Sequence, residues 1–466
     1  VEYDWVPHPV LHFSFNSFGH KVTHLSRSIS YELERNAQKF AIDLPFEGIA
    51  DNFKHLVQKI AEKENKPVVL LVDEYDKPIV DFITDHEQAK ENQKVLRAFF
   101  SPLKELEFQG HLRFLFVTGV SKFSKVSLFS DLNNLTDLTL SPQANDLTGI
   151  TQQELLENFE EYLEKGAMEL KVSREKLLEL IQLWYNGYTF DGETRLYNPF
   201  SLLSFFLQFR FRNFWFATGT PTFLIEMVRK EWINPLELEH KKVPESFFDS
   251  FSIKNLDFTG LLYQTGYLTI KEAITHPISF DMDYTLGYPN REVRKAFVYN
   301  LVQAYTYQPK STVGTALLNM RDGLQTGDLD LFFENLNILL SDLSYLHQPK
   351  VHKNGNAKAK LMQMWEGYFH TIIYLVTAFL GMEVQSEITK HKGRLDLVAE
   401  TQEYLYLMEF KLDEPVKDAI EQIKNRQYAA SFQNTPKKLV LVGVGFSKDE
   451  RTVQDWESEF IKPASR

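Results

Sequence analysis

RLDLV at residues 394–398 and YLYLMEFKL at residues 404–412 are the two stretches that decide the fold of the C-terminal part of this chain. Each is rich in the leucine, valine and aromatic residues of a buried strand, and the few residues between them predict a short turn that pairs the strands. Because successive side chains of a strand point to opposite faces, Glu409 and Lys411 project from the same face. We expect Asp396 beside them, on the neighbouring strand.

These polar side chains suit a metal centre. The carboxylates of Asp396 and Glu409, with the main-chain carbonyl of Phe410, are oxygen ligands of the kind that Mg²⁺ prefers. A metal held there would acidify a bound water and polarise a phosphoryl oxygen, while Lys411 would position the water or stabilise charge in the transition state. The alternative is an edge strand with a Glu409–Lys411 salt bridge and Asp396 in a turn. Charges inside an apolar strand favour the metal centre, because they are costly to bury unless paired or coordinated.

The order of these motifs along the chain extends the argument. A helix containing Glu366 precedes the strands, and a helix from Gln422 to Tyr428 follows them. This order resembles the PD-(D/E)xK nuclease superfamily, which implies a restriction-endonuclease-like α/β fold. The resemblance implies that Asp396 and Glu409 bind Mg²⁺ or Mn²⁺ and that Lys411 is catalytic. It also implies supporting roles for three side chains on the flanking helices: Glu366, Gln422 and Tyr428. A solvated Glu366 is the alternative for that position.

Residues 68–72, VVLLV, decide the fold of the N-terminal part, and they run directly into Asp73-Glu74. Such a continuous apolar run is typical of a strand buried on both faces of a parallel sheet, and residues 113–119 are another such run. Helix-like stretches around them indicate α/β layering. An apolar strand that ends in two acids has the form of a Walker B motif, in which Asp73 would organise Mg²⁺ on a nucleotide and Glu74 would activate water. The alternative is a turn or capping cluster over residues 73–78.

Most of the chain carries a wider resemblance. Short motifs resemble the AAA-like module of bacterial proteins in which a predicted AAA-ATPase is fused to a PD-(D/E)xK domain. These motifs occur at residues 73–78, 118–123, 130–135, 184–188, 197–200, 217–223, 263–268 and 287–292. The resemblance implies ATP as a cofactor and places Thr118 and Ser121 at a sensor position, where a polar group reports on the γ-phosphate. An ordinary strand-exit loop is the alternative for these two residues.

Four regions follow from the changes of pattern along the chain. Residues 1–140 are predicted to form a P-loop or AAA-like parallel sheet with helices, and residues 141–346 a mainly helical middle region. Residues 347–360 have the composition of a linker, and residues 361–466 are the nuclease-like α/β domain. The aromatic run at residues 205–215 is predicted to be helical core, with a base-stacking surface as the alternative.

Composition limits the partners. The chain has no cysteine, which excludes disulfides and thiolate metal sites and fits a reducing, cytoplasmic compartment. No apolar run approaches the roughly 20 residues of a membrane span, so we expect no membrane partner. The net charge of −12 argues against a protein whose whole surface binds nucleic acid. Residues 1–348 carry −13 and residues 349–466 carry +1, so nucleic acid is expected on the C-terminal part. A homo-oligomer is compatible with this composition.

These observations favour a metal-dependent nuclease that is coupled to an AAA-like ATPase module. Its expected substrate is nucleic acid, with DNA favoured over RNA. Two alternatives stay open. One is a regulatory module whose nuclease-like fold binds nucleic acid or protein without cutting. The other is an ATPase whose C-terminal domain only reads the target.

The phosphate-binding loop of the AAA-like module is absent from this chain. No Gly-Lys-Ser/Thr segment occurs, and residues 19–23 lack an adjacent Gly-Lys pair. Without that loop, no main-chain N–H groups surround the nucleotide phosphates and no lysine reaches them. The valine at position 1 favours truncation over an abandoned nucleotide site as the explanation.

We therefore expect this chain to bind ATP weakly or not at all. Isothermal titration calorimetry with ATP and Mg²⁺ measures this directly. A dissociation constant in the micromolar range would contradict the expectation.

Overall fold

The computed structural model describes residues 5–19, 21–83, 85–120, 135–217, 238–248, 257–341, 369, 371–380, 384–390, 393–425, 432, 435–447 and 452–461. Contacts divide the chain into two compact units. The first comprises Val1–Thr148, Thr189–Arg195 and Lys242–Gly287, and the second comprises Gly149–Tyr188, Leu196–Lys241 and Tyr288–Arg466. The predicted linker at residues 347–360 lies outside the described residues, and the domain boundaries at 140, 346 and 360 stay predictions.

A parallel sheet with helices forms the N-terminal part of the first unit. Its elements, in chain order, are β1 (Val10–Ser14), the 3₁₀ helix Phe15–Phe18, α1 (Leu25–Lys39), α2 (Ile49–Glu64), β2 (Val68–Asp73), α3 (Lys77–Val80), α4 (His86–Phe100), α5 (Leu103–Phe108) and β3 (Leu112–Val117). Strand β2 pairs in parallel with both β1 and β3. The two acids that follow β2 therefore leave the sheet at its middle strand.

This sheet is packed on one face. The ring of Phe13 on β1 contacts Phe53 of α2 and Phe99 of α4, with ring centroids 5.9 and 5.2 Å apart. On the other face, Phe114 of β3 is 53% exposed. The prediction that residues 113–119 form a strand buried on both faces is therefore wrong. Residues 113–117 of this run do lie in β3, but the described helices cover only alternate side chains of the sheet.

Helices dominate the middle of the chain. The elements from residue 150 to 340 are β4 (Ile150–Thr151), α6 (Gln152–Asn158), α7 (Glu160–Leu170), α8 (Arg174–Tyr185), β5 (Leu196–Tyr197), α9 (Pro199–Gln208), α10 (Phe214–Ala217), β6 (Lys241–Pro244), the 3₁₀ helix Glu245–Phe248, α11 (Phe258–Gln264), β7 (Thr269–Thr275), β8 (Met282–Gly287), α12 (Arg291–Thr306), α13 (Lys310–Thr326) and α14 (Leu329–Leu340). Phe205 and Phe206 are buried in one cluster with Tyr185. The core interpretation of the aromatic run at residues 205–215 is therefore confirmed, but residues 209–213 lie between α9 and α10 and are not helical.

The C-terminal residues form a mixed sheet with helices on both faces. The described elements are the helical residues 371–379 (α15), β9 (Val384–Lys390), β10 (Gly393–Glu400), β11 (Tyr404–Leu412), α16 (Val416–Asn425), β12 (Lys438–Ser447) and β13 (Thr452–Ile461). The strand order is β13-β12-β11-β10-β9. Strands β11 and β12 are parallel and α16 connects them, as a parallel pair requires; the other neighbours are antiparallel. The predicted α/β fold class is confirmed.

The face of this sheet opposite α16 caps helix α13. Tyr404 and Tyr406 lie two residues apart on β11 and so share that face. The Tyr406 hydroxyl donates a hydrogen bond to the carbonyl of Leu324 at 2.7 Å, and the Tyr404 hydroxyl donates to the carbonyl of Thr326 at 3.1 Å. Both carbonyls belong to the last turn of α13, where the helix itself offers no further N–H donors. Two tyrosines therefore fix the end of this helix to the sheet.

Among the described residues, no helix is both long enough and apolar enough to cross a lipid bilayer.

Tyr406→Phe removes one of these caps and keeps the ring. We expect the free energy of unfolding to fall by about 1 kcal/mol, because a buried carbonyl loses its hydrogen bond. Tyr162→Phe is the matched control. Tyr162 is 50% exposed, so water can take the place of a hydrogen bond that its hydroxyl loses. Urea denaturation followed by circular dichroism measures both variants. Equal stability of the two would contradict the capping role.

Candidate active site

Strand β11 places Glu409 and Lys411 on the face that helix α16 covers. The two side chains share this face because they are two residues apart. Glu409 is 2% exposed and Lys411 is partly buried. A carboxylate this deep depends on hydrogen-bonding or charged partners, because it has lost its hydration.

Gln422 of α16 is a partner of both side chains. The Lys411 Nζ donates a hydrogen bond to Gln422 Oε1 at 2.7 Å. Gln422 Nε2 in turn donates to Glu409 Oε1. Each end of the amide therefore meets the group of complementary charge, and Glu409 and Lys411 are joined through Gln422.

Asp396 lies on the neighbouring strand, where its pairing with β11 ends. The antiparallel register that pairs Leu397 with Met408 brings Asp396 beside Glu409. Asp396 Oδ2 accepts a hydrogen bond from the Phe410 N–H at 2.8 Å. The side chain of Asp396 is thereby fixed against the same part of β11 that carries Glu409.

The described part of this site contributes two carboxylates, those of Asp396 and Glu409. Glu366 and Tyr428, which the family resemblance adds to the site, lie outside the described residues. Within the described ranges, no group of three or more His, Cys, Asp or Glu side chains is arranged to hold a metal. Asp396 and Glu409 offer oxygen atoms only. Such a set fits a hard cation that keeps several waters, as Mg²⁺ does, better than a metal that prefers nitrogen or sulfur.

Two glycines of β12 let α16 lie close to the sheet. In the parallel register Gly443 pairs with Glu409 and Gly445 pairs with Lys411, so the glycines share the face of these side chains. A Cβ at Gly443 would lie 2.9 Å from the carbonyl oxygen of Val416 on α16, which is too close for real atoms. No prediction from the sequence assigns the glycines this role. Its signal is a pair of glycines in an otherwise apolar strand, which marks a close approach.

A second polar cluster lies where β2 leaves the parallel sheet of the first unit. The Thr118 hydroxyl, just after β3, donates to Asp73 Oδ1 at 2.5 Å. Glu74 follows in the left-handed region at φ = +53°. The pKa of the Glu74 carboxyl is raised, first by burial and then by the charge of Asp73. The structure thus brings Asp73, Glu74 and Thr118 to the edge where open α/β sheets place ligands, whereas Ser121 lies outside the described residues.

Asp76 supports this cluster without facing the solvent. Its side chain is buried, and its Oδ1 accepts a hydrogen bond from the Val120 N–H at 3.1 Å. The carboxylate therefore ties the turn after β2 to the loop after β3. This bond stabilises a turn at residues 73–78, but the Asp76 side chain makes no capping hydrogen bond to α3.

Comparison with known proteins gives two matches to family models. Residues 2–129 match the model of a predicted AAA-ATPase, and residues 364–456 match the model of the PD-(D/E)XK nuclease superfamily. A protein of Azotobacter chroococcum mcd 1, described as an uncharacterized protein in the vnfD 5' region, is 34% identical over 458 residues. The match covers 97% of this chain and 83% of that protein. No solved structure matches.

The match to the Azotobacter protein extends over nearly the whole chain and includes both modules. The chain therefore belongs to the family that joins a predicted AAA-ATPase domain to a PD-(D/E)XK nuclease superfamily domain. The resemblance found in the sequence motifs is thereby confirmed.

Gly443→Ala places a methyl group between β12 and α16. We expect the free energy of unfolding to fall by about 1–3 kcal/mol, the usual cost of overpacking. Gly314→Ala on α13 is the control: its Cβ would meet the Tyr299 hydroxyl at an ordinary 3.7 Å, and alanine favours a helix over glycine by up to about 1 kcal/mol. Chemical denaturation of both variants measures the difference. Unchanged or greater stability of the Gly443 variant would contradict the close approach.

Proposed function

We propose that this protein hydrolyses phosphodiester bonds of nucleic acid, in particular DNA, at a centre where Asp396 and Glu409 hold a divalent metal ion and Lys411 is catalytic. One observation carries the proposal: Gln422 joins Lys411 to Glu409 beside Asp396. A surface salt bridge on an edge strand would need no helix residue between its partners. The family of the C-terminal domain supports the same activity.

Asp396 and Glu409 would hold the cation. When bound, a divalent cation acidifies a water molecule and polarises the scissile phosphate. Each carboxylate has one oxygen already fixed, Asp396 by the Phe410 N–H and Glu409 by the Gln422 amide. Ligands that are held in place lose little conformational freedom on binding, which favours a defined metal position.

Lys411 would act on the charge of the phosphate. Its ammonium group is partly buried, so its charge acts more strongly than it would in bulk water. Gln422 would be a positioning residue, because a neutral amide orients the ammonium group without neutralising it. A carboxylate at that position would cancel the charge that the reaction needs. The supporting roles of Glu366 and Tyr428 rest on the family resemblance.

We also propose a nucleotide-dependent role for the first unit. Asp73, held by Thr118, is suited to organise Mg²⁺ on a nucleotide, and Ser121 would complete the sensor loop. The pKa of the Glu74 carboxyl is raised, so this carboxylate would be a stronger base toward the attacking water. In a chain that has a phosphate-binding loop, nucleotide binding at Asp73 and Glu74 would control the nuclease centre.

Two nearly isosteric substitutions test the nuclease centre. Asp396→Asn keeps an oxygen for the Phe410 N–H and removes the charge, whereas Lys411→Met keeps the alkyl chain and removes the ammonium group. We expect each to lower Mn²⁺-dependent cleavage of fluorescently labelled DNA by at least about 100-fold, the scale seen when one transition-state contact is removed. Circular dichroism and the melting temperature should stay close to those of the unaltered chain.

The control for the charge change is Asp418→Asn. Asp418 is exposed on α16, so this variant should cleave DNA as the unaltered chain does. Retained cleavage in both site variants, or cleavage in EDTA, would rule out this centre. DNA binding with neither cleavage nor calorimetric Mn²⁺ binding would favour a non-cleaving binding module.

A further inference from the structure

Two sequence motifs that the nuclease centre does not use meet within the second unit. Gly187 belongs to the WYNGY motif at residues 184–188 and has φ = +113°. A Cβ at Gly187 would collide with the carbonyl oxygen of Pro289, in the GYPNRE motif at residues 287–292. The two backbones therefore touch at a glycine, and this contact brings the Trp184 side chain beside the start of α12.

Two cations of α12 lie over aromatic rings at this junction. The Arg291 guanidinium carbon is 5.4 Å from the centre of the Trp184 ring. The Lys295 Nζ is 5.8 Å from the same ring and 5.4 Å from the ring of Phe379 on α15. Arg291 and Lys295 are one helical turn apart and so share a face of α12. Cations over aromatic rings are attracted by the electrons of the ring face, which orders two long side chains.

Three acidic groups near α12 have partners outside the Trp184 and Phe379 contacts. Glu292 accepts a hydrogen bond from the Trp215 N–H at 2.8 Å. Glu239 pairs with Arg294 at 3.1 Å. Asp322 pairs with Arg321, its neighbour in sequence, at 2.8 Å.

Positive charge is therefore concentrated around Lys295. The pKa of its ammonium group is lowered, first by burial and then by the charges of Arg291 and Arg321. Arg291 is exposed, whereas Lys295, Trp184 and Phe379 are partly buried. We call these four residues the basic–aromatic patch; Arg321 is not counted, because it is paired with Asp322.

We propose that the basic–aromatic patch binds the phosphodiester backbone of the nucleic acid, at a position distinct from the cleavage centre. The inference rests on the proposed function, because it names a surface that holds the same substrate. Charge complementarity selects this partner. A chain with a net charge of −12 repels a polyanion unless cations are gathered locally. Arginine and lysine contacts to phosphates supply most of the sequence-independent affinity for nucleic acids.

Binding measured without metal tests the patch separately from catalysis. The variant Arg291→Gln/Lys295→Met removes two charges, and methionine keeps the alkyl contact with Phe379. We expect the fluorescence anisotropy of labelled single-stranded and duplex oligonucleotides, in EDTA and low salt, to report affinity weakened by about tenfold or more. The slope of the logarithm of the binding constant against the logarithm of the salt concentration should fall by about 2.

Lys176→Gln is the matched control. Lys176 lies on α8, the helix that carries Trp184, and its side chain is 58% exposed. We expect this variant to bind as the unaltered chain does. Equal affinity of the double variant and the unaltered chain, or an equal loss in the Lys176 control, would overturn the proposal. So would the absence of oligonucleotide binding by the unaltered chain.

Cleavage assays with Mn²⁺ separate the two proposals. If the double variant loses affinity and the unaltered chain does not cut, the patch stands and the nuclease function fails. If the unaltered chain cuts and the double variant binds normally, the nuclease function stands and the patch fails. If both proposals hold, the double variant should show a raised KM with a kcat close to that of the unaltered chain, because the patch touches no reacting atom. The comparison of single-stranded with duplex substrates then shows which form the patch prefers.

Discussion

Helix α16 lies against β12 at the two positions where Gly443 and Gly445 leave no side chain to hold it away. The contact is apolar, and Ala419 and Ile423 of the helix are buried in it. Gln422 precedes Ile423 by one residue, so the depth at which the helix packs sets the height of its amide above the strand. The polar contacts of the candidate site therefore depend on a packing distance between backbones, and hydrogen bonding follows from it. Apolar burial of this kind is the larger and less directional contribution to stability.

A buried carboxylate normally destabilises a fold, and the position of Glu409 shows how this chain limits that cost. One of its oxygens accepts a hydrogen bond from the Gln422 amide, whose other end holds Lys411. A directly paired ammonium group would satisfy the carboxylate as well, but the charges of both groups would then be spent on each other. The neutral amide between them gives each group one hydrogen bond and leaves their charges separate. This arrangement favours a site that must still attract a cation and a phosphate over one that only stabilises the fold.

Much of the fold and of the candidate site could be predicted because it depends on local periodicity. The two-residue repeat of a strand puts Glu409 and Lys411 on one face, and the short turn after β10 makes Asp396 their neighbour. The family motif order supplied Gln422. The sequence could not show how many helix layers cover a strand, since an apolar run looks the same with one layer or two. The exposed Phe114 lies on the face opposite the helices. Contacts across long separations, such as the 45 residues between Asp73 and Thr118, also leave no periodic signal.

In the proposed function, electrostatics would link the nuclease centre to the basic–aromatic patch. Before a metal binds, two carboxylates at the cleavage centre repel a phosphate, so that centre alone is a poor place to capture a polyanion from solution. Binding energy that comes from a remote cationic surface does not depend on the metal, and it can hold the substrate while the metal centre performs the chemistry. Trp184 and Phe379 would contribute by restricting Arg291 and Lys295, since ordered cations lose less entropy when a phosphate binds. An acidic protein can in this way act on nucleic acid without carrying a basic surface overall.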